Sequence, residues 1–507
     1  MQQRSIIGVD IGTTSTKAVA FGLDGEVQYQ QLMEYPIISD EPGQAEHDPE
    51  QVLQAVLVTL GRVGEWLEDH GYEPVGVSFS SAMHSLILMG ADGKPLTRCI
   101  IWADTRSHMH ADEIKSSKLG HKIYLQTGTP IHPMSPLPKI SWLRQEYPEL
   151  YKSAVKFIGI KEYVFYRLFG EYKVDYSVAS AMGLFDIFEF SWHTDALSVA
   201  GISSDQLSEP VSPTHIFTGL NTSEADLLHL PPKTPFVIGA SDGCLANLAS
   251  HAVRPGEAVV TIGTSGAVRT IANQPATDLK ERVFSYILNE NHFVLGGAVN
   301  NGGVALRWFR DTFYPSETAE AIAKDQDIYE LLNDVAEGIA PGAEGLLFLP
   351  YLLGERAPIW DGNARACFIG ASYNHTRAHF LRAVMEGVIF SVNSVVKALE
   401  QTVGPIAAIY ANGGFSFSEL WVQMLADVTG KKVQLTETSE GSAFGAALMG
   451  MYALGVISSL EEAESMIRVS KTYEPDPQRQ QTYSKAYAVY EELYPKLKDS
   501  FERLSKV

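Results

Sequence analysis

Cysteine is scarce and scattered. Cys99, Cys244 and Cys367 are the three in 507 residues. They form no CxxC or Cys/His pair, which argues against a disulfide framework and a zinc site. A reducing, cytoplasmic setting fits that usage. Positive charge is also short: 39 Lys and Arg stand against 60 Asp and Glu, for a formal net charge of -21. A surface this acidic repels nucleic acid and anionic membrane, so neither is expected as a partner. A small anion is not excluded, because a local cationic pocket overrides the global field. The opening MQQRSIIGVDIG has no apolar stretch long enough for a signal peptide. No later window is expected to approach a membrane span. The GxxxxGK[ST] phosphate loop is missing as well.

What remains is ordinary globular material, 45% hydrophobic and 20% charged, long enough for two or three domains of roughly 100–200 residues. The reading is α/β. Ser5–Ile11, Lys17–Leu23 and Val27–Met33 are β-rich runs separated by a Gly/Thr turn and Asp24-Gly25, the pattern of a meander. Asp48 and Pro49 suit a helix start, and Leu53, Val56, Leu57, Leu60, Val63 and Leu67 form its apolar stripe. Strands are expected at Val75–Ser80, Ser85–Met89, Pro235–Gly239, Glu257–Thr261 and Ala267–Ile271. Helices are expected from Cys244, and over Gly303–Phe313, His379–Gln401, Phe417–Thr429, Ala443–Ala453 and Gln478–Lys506. Tyr483, Tyr487, Tyr490 and Tyr494 recur at helical spacing and read as packing or a dimer surface.

One stretch echoes another. IGVDIGTTSTKAV at Ile7–Val19 and AVVTIGTSGAVRT at Ala258–Thr270 are each a β run, Ile-Gly-Thr, a hydroxyl-rich turn and a second β run. They suggest two related domains facing each other; chance is an equally good account, since Gly-Thr turns are common.

Several short patterns carry possible chemistry. In Asp10-Ile11-Gly12-Thr13-Thr14-Ser15-Thr16-Lys17, Gly12 permits close backbone approach, and the hydroxyls and N–H groups of Thr13, Thr14 and Ser15 suit phosphate oxygens. Lys17 adds a cation, and Asp10 at a strand end can hold hydrated magnesium. A plain surface hairpin explains the same residues. Gly239-Ala240-Ser241-Asp242-Gly243 sets one acid among small residues after an apolar strand. That acid is either a base for a substrate hydroxyl or, more commonly in such places, a helix cap. Ile262-Gly263-Thr264-Ser265-Gly266 and Asn412-Gly413-Gly414 are two further turns suited to phosphate and nucleotide. Each is weak alone, and their order carries more weight. His108 and His110 diverge on a helix and gather no metal partners; Cys244 has no activating base beside it.

The order, together with two longer patterns, resembles the FGGY carbohydrate kinases. Met134 through Glu146 (MSPLPKISWLRQE) follows the family's first signature. Ala366 through Glu386 follows the second, with His379, Phe380, Ala383 and Glu386 in register and Ala371 departing. The resemblance implies two actin-like (ribonuclease H-like) ATPase domains with an interdomain cleft, divided here as 1–248 on the sugar side and 249–507 on the ATP side. It implies Asp242 as general base and Asp10 as the carboxylate on the Mg2+ side. Thr13, Thr14, Ser15, Lys17, Thr264 and Gly303 would lie along the phosphates of ATP. Arg307, Gly414 and Ser418 would lie near the rest of the nucleotide, although some members carry glutamine where Arg307 stands.

The sugar side is implied by Met83-His84, by Trp102-Ala103-Asp104-Thr105-Arg106 and by Asp242-Gly243. Thr127 through Pro136, Ser80 through Ser85 and Val299 through Gly303 look like the branch that phosphorylates gluconate. An anionic sugar acid calls for a cation, and Arg106 is the sequence candidate, with His84 and His132 behind it. Two alternatives stand: a kinase for a neutral sugar such as xylulose, and a non-catalytic nucleotide switch of actin type. A homodimer is expected from the family only.

Overall fold

The computed structural model describes residues 3–220, 226–437 and 441–506. The chain folds into two compact units, and neither is one continuous segment. The first comprises Met1–Val253, Ala272–Val294 and Thr438–Ile467; the second comprises Arg254–Ile271, Leu295–Glu437 and Arg468–Val507. One cut is expected at 248/249 from the sequence, whereas by contact the two units interleave along the chain.

The first unit is built on a six-stranded sheet. Its strands run in the order Ile216–Phe217, Phe236–Ser241, Tyr72–Ser81, Gln3–Ile11, Ser15–Gly22, Val27–Glu34. The last three form the expected meander. Gln3–Ile11 pairs parallel with Tyr72–Ser81, which pairs parallel with Phe236–Ser241. Val77, Phe79 and Ile238 are buried, as suits central parallel strands covered on both faces.

Helix Pro49–Asp69 lies against this sheet. Asp48 caps it by accepting from Glu50 N at 2.9 Å, and Val52, Leu53, Val56, Leu60, Val63 and Leu67 are buried. A second helix, Gly441–Ala453, comes from far along the chain. It approaches the first strand so closely that a Cβ on Gly8 would stand 2.0 Å from the carbonyl oxygen of Ala443. This contact is why a late segment belongs to the first unit, and a hydropathy pattern has no means of showing it.

In the second unit, five strands run in the order Gly266–Ala272, Glu257–Ile262, Ala408–Asn412, Lys432–Glu437, Arg468–Tyr473. Glu257–Ile262 is antiparallel to Gly266–Ala272 and parallel to Ala408–Asn412. This repeats the first sheet, where Gln3–Ile11 is antiparallel to its hairpin partner and parallel to Tyr72–Ser81. Each hairpin is closed by its glycine N–H, Gly12 N to Ser15 O at 2.9 Å and Gly263 N to Ser265 O at 2.9 Å, the first loop being one residue longer. The echo in the sequence is a repeated hairpin in a repeated sheet order.

Helix Arg377–Val403 corrects one expectation. Its mean hydropathy over an 18-residue window is 1.2, enough with its length for a membrane span, yet 83% of that window is buried. It is the core helix of the second unit. Its buried Arg382 pairs with Glu386 at 2.7 Å and donates to the Tyr483 hydroxyl at 2.6 Å. Tyr487 meets Phe390 edge-on and Tyr490 meets it at a tilt, at 5.8 and 5.3 Å between ring centroids. The tyrosines of helix Pro477–Leu504 thus pack inside their own unit.

The Gly8 contact gives a direct expectation. Gly8→Ala should lower the denaturation midpoint, at a cost of about 1–3 kcal/mol typical of overpacking. Tryptophan fluorescence against urea concentration measures it.

Candidate active site

Three parallel strands of the first unit end together. In their register Asp10 lies opposite Ser80, and Ser80 lies opposite Ala240. Asp10 is the penultimate residue of its strand, and Asp242 follows the last residue of another as the first residue of helix Asp242–Leu248. Both acids therefore sit at the carboxyl edge of one sheet, the edge where α/β sheets bind ligands. The strands that carry them are two steps apart, roughly 10 Å at the usual spacing.

The chain reaches this geometry through a break in pairing. The register between Phe236–Ser241 and Tyr72–Ser81 shifts between Val237 and Ala240. Gly239 stands in the gap with φ +68°, where a Cβ would come within 1.8 Å of Phe79 O. Only glycine fits there.

The strand end beyond Gly239 is anchored from beneath. Lys161 Nζ donates to Ala240 O at 3.0 Å and pairs with Asp175 at 2.7 Å, both side chains being buried. Burial lowers the Lys161 pKa, and Asp175 opposes that fall. Ser241 N donates to the Ser177 hydroxyl at 3.1 Å, and the two hydroxyls meet at 2.9 Å. Asp242 itself is half-buried, with Gly243 N donating to Oδ1 at 2.7 Å.

Asp10 accepts from the Ser80 hydroxyl at 2.7 Å. Lys17 is its direct partner across the hairpin, on the same face of the sheet. Thr14 is exposed in the turn, and Thr13 and Ser15 are half-buried. Thr13 accepts from the Trp102 indole N–H at 2.9 Å. The Trp102 motif and the Thr13 turn are thereby joined.

Met83 is half-buried and His84 buried. His84 adopts φ +70°, a left-handed conformation that costs strain in a residue other than glycine. Its ring Nδ1 lies 2.7 Å from Ala181 O, which makes Nδ1 the protonated nitrogen.

Asp104 and Arg106 need correction. Asp104 is fully buried and accepts from Ala45 N at 3.0 Å and Arg106 N at 3.0 Å. The Arg106 guanidinium is shared among Asp104, Glu41 and Glu46, and its face lies 4.8 Å from the Trp142 ring centroid. Burial lowers its pKa, but the hydrogen bonds it donates to these acids outweigh that and raise it. A guanidinium already bound to three carboxylates is a poor receptor for another. Both residues frame the site. The cation expected at Arg106 is spent, which spacing along the sequence does not reveal. His132 accepts from Met134 N at 3.2 Å and shapes its own turn.

The second unit holds a cavity of about 660 Å³. Thr264, Gly303, Arg307, Gly414 and Ser418 all line it, so five residues expected at the nucleotide converge. The volume lies within the range of about 300–1,000 Å³ typical of small-molecule sites.

Helix Gly303–Phe313 begins against the Gly-Thr turn. Gly303 N donates to Gly263 O at 2.7 Å, and Val304 N to Thr264 O at 3.1 Å. Buried Glu355 braces the segment before that helix, accepting from Asn300 N at 2.5 Å and Asn301 Nδ2 at 3.1 Å. Burial pushes its carboxyl up to about 7 despite these donors. Ser418 caps helix Glu419–Thr429 and donates to Asn333 at 2.7 Å.

Tyr329, Asn333 and Phe417 also line the cavity, and Phe417 is 91% exposed. They escape sequence reading because Tyr329 and Asn333 belong to a helix with no motif, and an aromatic at Phe417 looks like core.

A Gly-Thr hairpin repeated in two sheets, two acids at the carboxyl edge of one sheet on strands two steps apart, and a nucleotide-sized cavity in the second unit define a phosphotransferase of actin-like fold. The chain belongs to the FGGY family of carbohydrate kinases: the family's N-terminal domain matches residues 5–249 and its C-terminal domain residues 258–454. It is 45% identical to a gluconokinase of Bacillus licheniformis, over 99% of this chain and 97% of that one. It is 31% identical to a xylulose kinase of Bacillus subtilis (strain 168), over 97% of each chain. A crystal structure of gluconate kinase from Lactobacillus acidophilus superposes with a TM-score of 0.94 at 33% identity, covering 99% of this chain and all of that one.

The corrected role of Arg106 is measurable. Arg106→Met leaves Asp104 buried without its partner and should cost about 3–5 kcal/mol of stability. A thermal melt with unchanged midpoint would return Arg106 to the pool of ligand-binding residues.

Proposed function

We propose that the protein is an ATP-dependent gluconokinase that forms 6-phosphogluconate, with Asp242 as the general base. The observation that carries the chemistry is the shared carboxyl edge of Asp10 and Asp242. Likeness to the Bacillus licheniformis gluconokinase over nearly the whole chain supports the choice of acceptor.

The sugar acid lies against Met83, His84 and Trp102, with its terminal hydroxyl at Asp242. As that oxygen attacks the γ-phosphorus of ATP, the bond to the bridging oxygen of ADP breaks and Asp242 takes the hydroxyl proton. The adenosine occupies the cavity of the second unit, against Gly414, Ser418 and the exposed face of Phe417. Thr264 presents its hydroxyl to the phosphates, while the start of helix Gly303–Phe313 braces that turn with its own N–H groups.

A half-buried carboxylate at a strand end, steadied by the Ser80 hydroxyl, fits a magnesium ion that keeps most of its waters. Asp10 would hold that ion, which supplies charge neutralisation on the phosphates. The lining of Met83, Trp102 and His84 serves a sugar and has no purpose in a filament or chaperone, which disfavours a non-catalytic switch.

The occupied guanidinium of Arg106 favours a second reading, a neutral acceptor such as xylulose. ADP release with a panel of sugars and Mg-ATP decides between them. Gluconate should be turned over well above xylulose; the reverse ranking would replace it as the acceptor. Asp10→Asn should raise the magnesium concentration for half-maximal rate about tenfold or more, because a carboxylate ligand is removed. Magnesium titration at saturating ATP reads this.

A further inference from the structure

Lys139 lies on helix Pro136–Glu146 and is fully buried. Its ammonium donates to three main-chain oxygens: His84 O at 2.8 Å, Ile101 O at 2.7 Å and Met134 O at 2.8 Å. An ammonium has three N–H donors, and all three are used on neutral carbonyls. The three acceptors come from three distant parts of the chain. One belongs to the Met83-His84 turn, one immediately precedes Trp102, and one ends the turn that His132 shapes.

We propose that Lys139 is a positioning residue of the sugar side, and that its buried ammonium fixes the arrangement of Met83, His84 and Trp102 on which acceptor affinity depends. The proposal rests on the reading of those three residues as the acceptor's lining.

The strain at His84 gives the argument its force. A non-glycine residue at φ +70° persists only where its surroundings over-determine it. Here the ring is held by Ala181 O and meets Tyr286 edge-on, at 5.9 Å between centroids, while the carbonyl is held by Lys139. Without the ammonium, His84 loses the hold on its main chain and relaxes toward ordinary φ, turning the ring away. Ile101 O keeps Asp104 N as a donor at 3.1 Å but loses the ammonium at 2.7 Å, which loosens the main chain just before Trp102.

The chemistry of the side chain also fits the task. Three convergent oxygens suit a compact ammonium on a long stem; a planar guanidinium presents its donors in a fork and cannot cap them. Lys139 touches no reacting atom and is not catalytic. Its charge is balanced by Asp104, with Arg106 opposing and Cys99 close by. Burial brings its pKa down to about 7, so the third donor is lost as the pH rises through that value.

Lys139→Met keeps the stem and deletes the donors. In the folded variant the acceptor KM should rise about tenfold or more, equivalent to about 1.4 kcal/mol, with the ATP KM within about twofold of wild type. A merely structural role predicts that both KM values rise together or that neither does, and either result overturns the proposal.

If that variant does not fold, Lys139→Gln, which keeps amide donors on a shorter stem, takes its place with the same readout. A raised acceptor KM with the ATP KM within about twofold of wild type supports the proposal; two KM values that move together, or neither moving, overturn it. Both measurements use whichever sugar the wild type turns over, so a wrong choice of gluconate shows in the panel and leaves this test intact.

Discussion

The parallel register of three strands in the first unit is the constraint on which the active-site account depends. Asp10, Ser80 and Ala240 stand level across Gln3–Ile11, Tyr72–Ser81 and Phe236–Ser241. A slip of one residue in any pair would turn an acid to the opposite face of the sheet. Gly239 permits the irregularity that resets the last strand, and Lys161, Asp175 and Ser177 hold its end. These residues hold the main chain and the hydroxyl just before Asp242, and so decide where it points.

The second unit reuses the plan without the acid. Where the first strand carries Asp10 opposite Lys17, the equivalent strand carries Thr261 opposite Ala267. Thr261 donates its hydroxyl to its parallel neighbour Asn412 at 2.7 Å, the reverse of the first sheet, where the neighbour Ser80 donates to Asp10. The hairpin and the parallel neighbour are kept; the charge is not. At that position a neutral hydrogen bond stands in place of the charge.

Much of this was legible in the residues. The meander, the Asp48 cap, helix Gly303–Phe313 and the paired Gly-Thr hairpins are local features, written in turn chemistry and periodicity. The five cavity residues from Thr264 to Ser418 were legible through family pattern. What was hidden is long-range. That helix Gly441–Ala453 joins the first unit depends on Gly8 having no side chain. That Arg106 is spent depends on Glu41 and Glu46, some sixty residues away, and its motif looks the same whether the guanidinium is free or bound. Helix Arg377–Val403 is long and apolar enough for a span yet lies buried in the second unit, a distinction that composition alone does not make.

The central claim is that Asp242 takes the acceptor's proton while binding is left to other residues. Rapid-quench single turnover of Asp242→Asn with Mg-ATP and gluconate tests it most directly. The account predicts phosphoryl transfer slower by about 10²–10⁴, the usual worth of a general base, with ATP affinity largely retained. Transfer at the wild-type rate would contradict it.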